Sequence, residues 1–480
     1  MRKDITGFID DYIKEMEAGQ AAVFAGAGLS VPAGFVDWRH LLAPLAVELD
    51  LDIAQETDFI ALAQFHVNAN SNNRSQLNKA IIEAFSTGAK PTESHRLLAG
   101  LPIATWWTTN YDNLIERALS DAGKIPDVKH TVAQLANTKP RRDAIVFKMH
   151  GDVDHPDQAV ATRDDYERYA GSRGAYINAL SGDFVNKTFL FLGFSFTDPN
   201  LEAVLSRIRQ TFEGNQRRHY AIFKNRTQNA DEDDAVFINA KTRQSLVLRD
   251  LERFNIKPLM IDDYPEVPVI LGELVKRYRR RTIFVSASAS DFGVWGEAQV
   301  TGFMRRLGAT VMDSEVRLVT GLGLGVGNAL FTGAVEQVVR KGQGHMEDRI
   351  IVRPFPQALP DPDREDLWET YRQTIVAEAG VALFMFGNKE VGGAIQNARG
   401  VEREFEIARE HGLVVLPIGA TGSMASVLAS RALADPDVYL SELDGTQRAQ
   451  LAELAKPVAD LATLIEPIMA LVRGLKGVRK

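Results

Sequence analysis

Four apolar runs in the first half of the chain each stop abruptly at glycine or polar residues. Short apolar runs separated by longer amphipathic segments are typical of parallel strands that alternate with helices. The carboxyl ends of parallel strands meet at one edge of the sheet, where ligands bind in such folds, so we expect the segments after these strands to converge. The predicted strands are Ala21–Ala25, Ile103–Trp107, Ala144–Met149 and Thr188–Leu192.

The second half of the chain repeats this alternation, which predicts a second, smaller α/β domain with a Rossmann-like parallel sheet. A basic run at Val275–Arg281 marks the boundary, giving domains of residues 1–281 and 282–480. The run is more typical of a solvated connector than of an anion contact. The predicted elements are strands at Thr282–Ser286, Arg317–Thr320, Arg349–Arg353, Val381–Phe386 and Leu413–Ile418, and helices at Asp366–Glu378 and Val401–Glu410.

Composition excludes several functional classes. The 480 residues carry 55 basic and 63 acidic side chains, and this net charge of −8 disfavours broad nucleic-acid binding. Cysteine is absent, which excludes zinc ribbons and thiol nucleophiles, and the histidines form no ligand-like spacing, so no metal is expected. No apolar run resembles a signal peptide or a membrane span, so we expect a cytoplasmic protein without a membrane partner.

The segment after the first strand is a glycine turn, Gly26–Ser30. Its glycines would let backbone amides approach a pyrophosphate closely. Val31 stands three positions after Gly28, so the dehydrogenase fingerprint is not met and hydride transfer is disfavoured. Taken alone, such a turn is more often purely structural.

Together, the segments after the four strands resemble the sirtuin family over roughly residues 1–275. Gly26–Arg39 resembles the first sirtuin signature, with Val36 for proline and Trp38 for phenylalanine. Thr109–Asp112 resembles the TQNxD motif, with threonine for glutamine. His150-Gly151 and Gly193–Ser195 resemble the catalytic histidine–glycine pair and a turn that contacts NAD. The resemblance implies an NAD site formed by Gly26, Ala27, Gly28, Ser30, Asp37, Thr109, Asp112, Gly193 and Ser195.

By this resemblance, Asn110 and His150 are the catalytic pair. Nicotinamide leaves NAD+ as a neutral molecule, so its departure needs no general acid. A histidine base acting on a ribose hydroxyl or on water contributes ~10²–10⁴-fold, and an asparagine can both donate and accept hydrogen bonds. Simpler explanations exist for each residue: His150 as a structural histidine, Asn110 as the cap of a helix near Tyr111, and Asp198-Pro199 as a helix start.

The missing cysteines separate this chain from most sirtuin deacylases, which carry a zinc module held by four cysteines. The acyl-lysine cleft that this module helps to form is therefore doubtful, and cleavage of NAD+ by water is favoured. Two alternatives stay open: an NAD-dependent protein deacylase and a non-catalytic NAD-binding scaffold.

A second glycine-rich loop, Gly321–Gly327, lies between a predicted strand and a predicted helix. Alternating glycines at a helix start fit either a phosphate or a turn. On the next predicted helix, Arg372 lies at the edge of the apolar face between Trp368 and Val376. It could extend its stem along apolar surface or clamp a phosphate.

Nearly the whole chain resembles the ThsA-like effectors of Thoeris anti-phage defence, which join a sirtuin-type NADase domain to a C-terminal SLOG domain. Segments of this length are difficult to obtain by chance. They are Phe194–Leu201, Arg353–Gln357, Phe386–Lys389, Gly400–Phe405 and Leu416–Gly422.

This resemblance implies regulated NAD+ hydrolysis. A TIR-domain enzyme makes a cyclic ADP-ribose isomer on infection, the SLOG domain binds it as activator, and NAD depletion causes abortive infection. Family members form homotetramers and sometimes filaments. The matching activator-binding positions are Ser288, Gly321, Leu322, Gly323, Arg372, Lys389, Gly400 and Glu404.

Overall fold

The computed structural model describes residues 2–85, 88–212, 214–314, 316–342, 346–355 and 363–475, except for the side chains of residues 363 and 364. The chain divides into two compact units, Met1–Val275 and Lys276–Lys480, which we call unit 1 and unit 2. Each unit has α/β architecture around a parallel sheet, which confirms the predicted fold class.

Unit 1 contains a seven-stranded parallel sheet. Its strands are β1 (Ala21–Ala25), β2 (Thr105–Thr108), β3 (Pro126–Lys129), β4 (Ala144–Lys148), β5 (Thr188–Leu192), β6 (His219–Lys224) and β7 (Ile256–Ile261). The order across the sheet is β3-β4-β2-β1-β5-β6-β7, so chain order reverses between β1 and β5. Such a reversal opens a crevice at the carboxyl ends of the two strands.

Helices cover the sheet of unit 1. They are α1 (Lys3–Glu17), α2 (Ala27–Ser30), α3 (Trp38–Glu48), α4 (Phe59–Ala69), α5 (Ser75–Phe85), α6 (Glu93–Ala99), α7 (Leu114–Asp121), α8 (Val132–Leu135), α9 (Arg163–Ser172), α10 (Gly174–Asn186), α11 (Pro199–Phe212), α12 (Asp234–Glu252) and α13 (Glu266–Arg279). Every residue of β1 and β5 is buried, which explains their uninterrupted apolar sequences.

Unit 2 contains a five-stranded parallel sheet and a separate antiparallel hairpin. The sheet strands are β8 (Thr282–Ser288), β9 (Arg317–Thr320), β10 (Ile350–Val352), β11 (Val381–Phe386) and β14 (Val414–Pro417), and the hairpin pairs β12 (Asn388–Val391) with β13 (Ala394–Asn397). The sheet order is β10-β9-β8-β11-β14, with its reversal between β8 and β11.

The helices of unit 2 include both of those predicted, with bounds that differ by a few residues. They are α14 (Gly296–Asp313), α15 (Gly327–Lys341), α16 (Met346–Arg349), α17 (Asp363–Ala377), α18 (Arg399–Glu410), α19 (Ser423–Ala434), α20 (Pro436–Tyr439), α21 (Gly445–Glu453) and α22 (Ile465–Leu475).

The basic run at the predicted boundary lies in the last turn of α13 and just after it. Within unit 2, Nζ of Lys276 and a guanidinium nitrogen of Arg280 lie 2.5 and 2.6 Å from the same carboxylate oxygen of Glu442. Arg279 donates to the carbonyl of Ala377 at 3.1 Å. These contacts fit a structural connector rather than an anion site. In the described ranges, no helix combines the length and apolarity needed to cross a bilayer.

Candidate functional site

A cavity of about 980 Å³ opens beside the chain reversal of unit 1, at the carboxyl ends of β1, β2, β4 and β5. All of the predicted NAD-binding and catalytic residues line it except Gly26, whose carbonyl accepts a hydrogen bond from one of the lining residues. The lining members of the predicted set are Ala27, Gly28, Ser30, Asp37, Thr109, Asn110, Asp112, His150, Gly193 and Ser195. The structure therefore brings the four segments together, as expected for parallel strands.

Asn110 is held in one orientation by its own side-chain amide. Its Nδ2 donates to the carbonyl of Gly26 and to Oγ of Ser30, both at 3.0 Å. Its Oδ1 is buried and has no hydrogen-bond partner among the described residues. A buried acceptor without a partner is costly, so this oxygen is available to a water molecule or a ligand hydroxyl.

Asn110 does not cap the neighbouring helix, which was the simpler explanation for it. Helix α7 begins at Leu114, whose amide donates to Oδ1 of Asp112 at 3.0 Å. Burial raises the pKa of Asp112 above its ordinary value. Asp37 similarly caps α3, where its carboxylate accepts from the His40 amide at 2.9 Å. Both aspartates line the cavity; Asp37 is also the N-cap of α3, whereas Asp112 precedes the N-cap residue Asn113 of α7 and bonds the first amide of that helix.

His150 is a buried histidine beside an acidic residue. Its Nε2 lies 3.1 Å from Oδ2 of Asp198, which also accepts a hydrogen bond from the hydroxyl of Tyr166 at 3.1 Å. Neither ring nitrogen, Nδ1 or Nε2, has a hydrogen bond of good geometry in the part of the chain that the structure describes, so the contact of Nε2 with Asp198 is one of ion-pair distance. His150 is therefore not a fully satisfied structural histidine.

Asp198 was predicted only as a helix cap, and it has a second contact that the sequence did not reveal. Its Oδ1 accepts from the amide of Leu201 at 2.9 Å, so it does cap α11. Burial alone would raise the pKa of Asp198, but a charged His150 and these hydrogen bonds together lower it. Asp198 is therefore ionised at neutral pH and places a negative charge 3.1 Å from Nε2 of His150.

Asn110, His150 and Asp198 form an arrangement suited to base catalysis on a water molecule. A histidine next to an ionised carboxylate accepts a proton more readily, because the carboxylate stabilises the resulting cation. Asn110 presents a fixed hydrogen-bond acceptor in the same cavity. Within the described ranges, no group of His, Asp and Glu residues has the geometry to hold a metal ion.

The glycines at the crevice are required by close packing between two loops. The amide of Gly28 donates to the carbonyl of Gly193 at 2.9 Å, and Gly193 itself has a left-handed backbone with φ +63°. A Cβ on Gly193 would lie 2.2 Å from the amide nitrogen of Leu29. Packing of the β1 and β5 loops therefore accounts for these glycines, in addition to any approach to phosphate.

We expect Gly193→Ala to lower the free energy of unfolding by about 2–5 kcal/mol, because a strained φ and an overpacked contact add. Gly123→Ala is the matched control: its φ is +75°, and nothing lies within 4 Å of the added Cβ. The free energy of unfolding of this control, measured by urea denaturation, should fall by only about 1–2 kcal/mol. Equal losses in the two variants would contradict the proposed clash.

A second cluster lies in unit 2 between α17 and α18. Nε of Arg372 lies 3.7 Å from Oε1 of Glu404, and this buried Nε has no hydrogen-bond partner among the described residues. Oε2 of Glu404 accepts from Oγ of Ser286 at 2.6 Å. Burial raises the pKa of Glu404. A Cβ on Gly400 would lie 3.2 Å from the Arg372 guanidinium.

Phe355 links this cluster to the glycine loop. The guanidinium carbon of Arg372 lies 5.4 Å from the centre of the Phe355 ring and 5.7 Å from that of Trp368. The same Phe355 ring would lie 2.7 Å from a Cβ on Gly321. Both Phe355 and Ser286 are potential ligand-site residues that sequence reasoning did not identify.

The other predicted activator-binding residues lie around this cluster or on the hairpin. A Cβ on Gly323 would lie 1.7 Å from the carbonyl of Ala287, the residue before Ser288, and Leu322 lies between Gly321 and Gly323. Oγ of Ser288 donates to the carbonyl of Asn388 at 3.2 Å, and the next residue, Lys389, is exposed on β12. Pro356 and Gln357, in a segment that carries the family resemblance, lie outside the described residues.

Comparisons with known proteins match both units. A model described as a SIR2-like domain matches residues 104–245, and one described as the Sir2- and TIR-associating SLOG family matches residues 266–475. NAD(+) hydrolase ThsA of Bacillus cereus (strain MSX-D12) is 42% identical over 470 residues, covering 98% of each chain. NAD(+) hydrolase ThsA of Acinetobacter baumannii (strain 532279) is also 42% identical, covering 97% of this chain and 98% of that protein.

A more distant relative matches a smaller part of the chain. Defense-associated sirtuin 2 of Bacillus subtilis is 25% identical over 210 residues, which cover 42% of this chain and 20% of that protein.

Proposed function

The chain belongs to the family of the ThsA NAD(+) hydrolases, and we propose that its unit 1 cavity hydrolyses NAD+ to nicotinamide and ADP-ribose. The observation that carries this proposal is the meeting of Asn110, His150 and Asp198 at one cavity. The volume of about 980 Å³ is at the upper end of the ~300–1,000 Å³ usual for ligand pockets, which suits a dinucleotide. Residues 1–281 would form the hydrolase domain and residues 282–480 the regulatory SLOG domain.

The reaction can be written with the residues of the cavity. The bond between C1′ of the ribose and the pyridinium nitrogen breaks, and its electron pair neutralises the departing nicotinamide. A water molecule that donates a hydrogen bond to Oδ1 of Asn110 attacks C1′. His150 accepts the proton of this water at Nδ1, while Asp198 holds Nε2 and stabilises the imidazolium. The glycine loops and Ser30, Asp37, Thr109, Asp112 and Ser195 would bind the rest of NAD+.

We further propose that unit 2 controls this reaction. Its ligand would be a cyclic ADP-ribose isomer made by a TIR-domain enzyme, bound by the cluster around Arg372 and Glu404, with Lys389 contributing a second cation. Two ribose-linked phosphates suit arginine and lysine, and ribose hydroxyls suit a buried glutamate. The match to a Sir2- and TIR-associating family supports this reading. Depletion of NAD+ would then serve anti-phage defence, with a homotetramer or filament transmitting the signal.

The first test measures nicotinamide release from NAD+ by the purified full-length chain, with and without nucleotide extract from infected cells that carry a TIR enzyme. We expect release with the extract and little without it. Asn110→Ala should lower the stimulated rate by about 100-fold, because the water loses its fixed acceptor.

Two other outcomes would change the assignment. Formation of O-acetyl-ADP-ribose from an acetylated peptide would favour a protein deacylase. Absence of nicotinamide release from folded protein under both conditions would favour a non-catalytic NAD-binding scaffold. Release without extract would keep the hydrolase and contradict the gating.

A further inference from the structure

Lys148 is a fully buried lysine beneath the candidate active site. It is the last residue of β4, two positions before His150, and its side chain is 0% exposed. Its ammonium donates to the carbonyls of Tyr111 at 3.0 Å and Asp112 at 2.7 Å. These carbonyls belong to the two residues that directly follow Asn110.

The same ammonium pairs with two carboxylates. Nζ lies 3.0 Å from Oε1 of Glu116 on α7 and 2.5 Å from Oδ2 of Asp152, two positions after His150. Burial alone would raise the pKa of Asp152, but Lys148 lowers it; burial raises the pKa of Glu116 despite Lys148. Lys148 therefore remains charged in an environment that penalises charge.

A buried ion pair contributes little to the stability of a fold, because both charges lose their hydration. Replacing such groups with well-packed apolar residues is often neutral or even stabilising. Val146 on β4 and Met149, which directly follows the strand, have buried apolar side chains, so an apolar residue at 148 would fit its surroundings. The charge at Lys148 is better explained by what it connects.

The ammonium connects the two loops that carry the proposed catalytic residues. On one side it bonds the backbone that follows Asn110, and on the other it holds Asp152 in the loop that follows His150. The amide of Val153 also donates to the carbonyl of Tyr111 at 3.0 Å, which reinforces the same junction. A side chain at this point sets the separation of the two loops.

We propose that Lys148 is a positioning residue for NAD+ hydrolysis, which fixes the Asn110 loop against the His150 loop without touching the substrate. This inference rests on the proposed function. A displacement of about 1 Å at reacting groups costs about 100-fold in rate, so loosening this junction should lower kcat. KM should change less than kcat, because the glycine loops, Ser30, Asp37 and Ser195 would bind NAD+ independently of Lys148, and only Thr109 and Asp112 lie in the loop that it fixes.

The test uses charge-balanced double variants of the full-length chain. Lys148→Met/Asp152→Asn and Lys148→Met/Glu116→Gln each remove one cation and one anion, so the net charge of the chain is unchanged. Each variant leaves the other carboxylate without its lysine, so an effect that both variants share is assigned to the loss of Lys148. We expect both to lower kcat by about 10–100-fold with KM within about threefold of the wild type. Hydrogen exchange in residues 108–114 should become faster at the same time.

The matched control is Lys129→Met/Asp127→Asn. Lys129 is the last residue of the neighbouring strand β3, is buried, pairs with Asp127 at 2.7 Å and donates to the carbonyl of Asn137. Neither residue lines the cavity. This variant should lose stability comparably but keep the wild-type kcat per folded molecule.

Each outcome decides the proposal. A kcat in both Lys148 variants equal to that of the control would overturn it, as would unfolding of both when the control folds, since the role would then be structural. An active wild type with unaffected variants would refute only this inference. A wild type that releases no nicotinamide would remove the proposed function and this inference together.

Discussion

Replacing Asp198 with asparagine is expected to lower kcat for NAD+ hydrolysis by about 10²–10³-fold while leaving the fold intact. The amide oxygen of asparagine can still accept from the amide of Leu201 and cap α11, so the helix keeps its N-terminal bond. The negative charge 3.1 Å from Nε2 of His150 is lost, and the imidazolium that forms on proton transfer is no longer stabilised.

His150→Ala provides the comparison for this prediction. It should lower kcat by about 10²–10⁴-fold, and the double variant should be no slower, because residues acting as one unit are not additive. Nicotinamide release by each purified variant, at saturating NAD+ with the activating extract, measures these effects. If the fold losses in kcat of Asp198→Asn and His150→Ala multiply in the double variant, the two residues do not act as one unit.

A matched control separates charge from helix capping. Asp233 caps α12 by accepting from the amide of Ala235 at 2.8 Å and does not line the cavity. Asp233→Asn should therefore keep full activity. Hydrogen bonds and the nearby His150 lower the pKa of Asp198 despite burial, so this carboxylate stays ionised from about pH 5 to about pH 8 in the wild type. Its contribution to stability is present above the unfolded pKa of about 3.9 and is lost as pH falls through the lower folded pKa.

The sequence predicts the sheet of unit 1 well where burial is complete. β1 and β5 are covered on both faces, so each is a continuous apolar run with the predicted bounds. β2 begins two residues later than predicted, because the amide of Ile103 is used in a turn with Leu101. Ile103 is apolar like the strand residues that follow it, so the sequence does not show that it lies in the turn before β2 rather than in the strand.

Contacts between distant segments explain what the sequence did not reveal. Asp198 has a local signal as a helix cap, but its contact with His150, 48 positions away, depends on how β4 and β5 are placed in the sheet. The hairpin of β12 and β13 does have a local signal, because Gly392-Gly393 between two short strands is typical of a two-residue turn. Lys148 lies in an otherwise apolar run, which is typical of a buried lysine with charged partners, but the sequence does not identify Glu116 or Asp152 as those partners.

Arg372→Ala is expected to weaken activation by the proposed signal nucleotide strongly while leaving NAD+ binding in unit 1 unchanged. The Arg372 guanidinium lies over Phe355 and Trp368, and its buried Nε has no hydrogen-bond partner among the described residues. A phosphate would satisfy this donor, whereas in the free protein Glu404, at 3.7 Å, is beyond hydrogen-bond distance.

Charge-assisted hydrogen bonds contribute about 1.5–3 kcal/mol, and 1.4 kcal/mol is tenfold in affinity. The concentration of cyclic ADP-ribose isomer for half-maximal activation should therefore rise about 10–100-fold in Arg372→Ala. At the activator concentration that half-activates the wild type, the variant should release nicotinamide at close to its unstimulated rate. Titration of nicotinamide release against the purified isomer measures the shift.

Arg409→Ala is the matched control in the same unit. Its guanidinium carbon also lies over an aromatic ring, 4.1 Å from the centre of Tyr439, but it is on the far end of α18 from Gly400 in sequence and pairs with Glu406. It should respond to the activator as the wild type does, and thermal unfolding should show both variants folded. Wild-type activation of a folded Arg372→Ala would place the signal site elsewhere, whereas loss of activation in both variants would show that stacked arginines of unit 2 act only through stability.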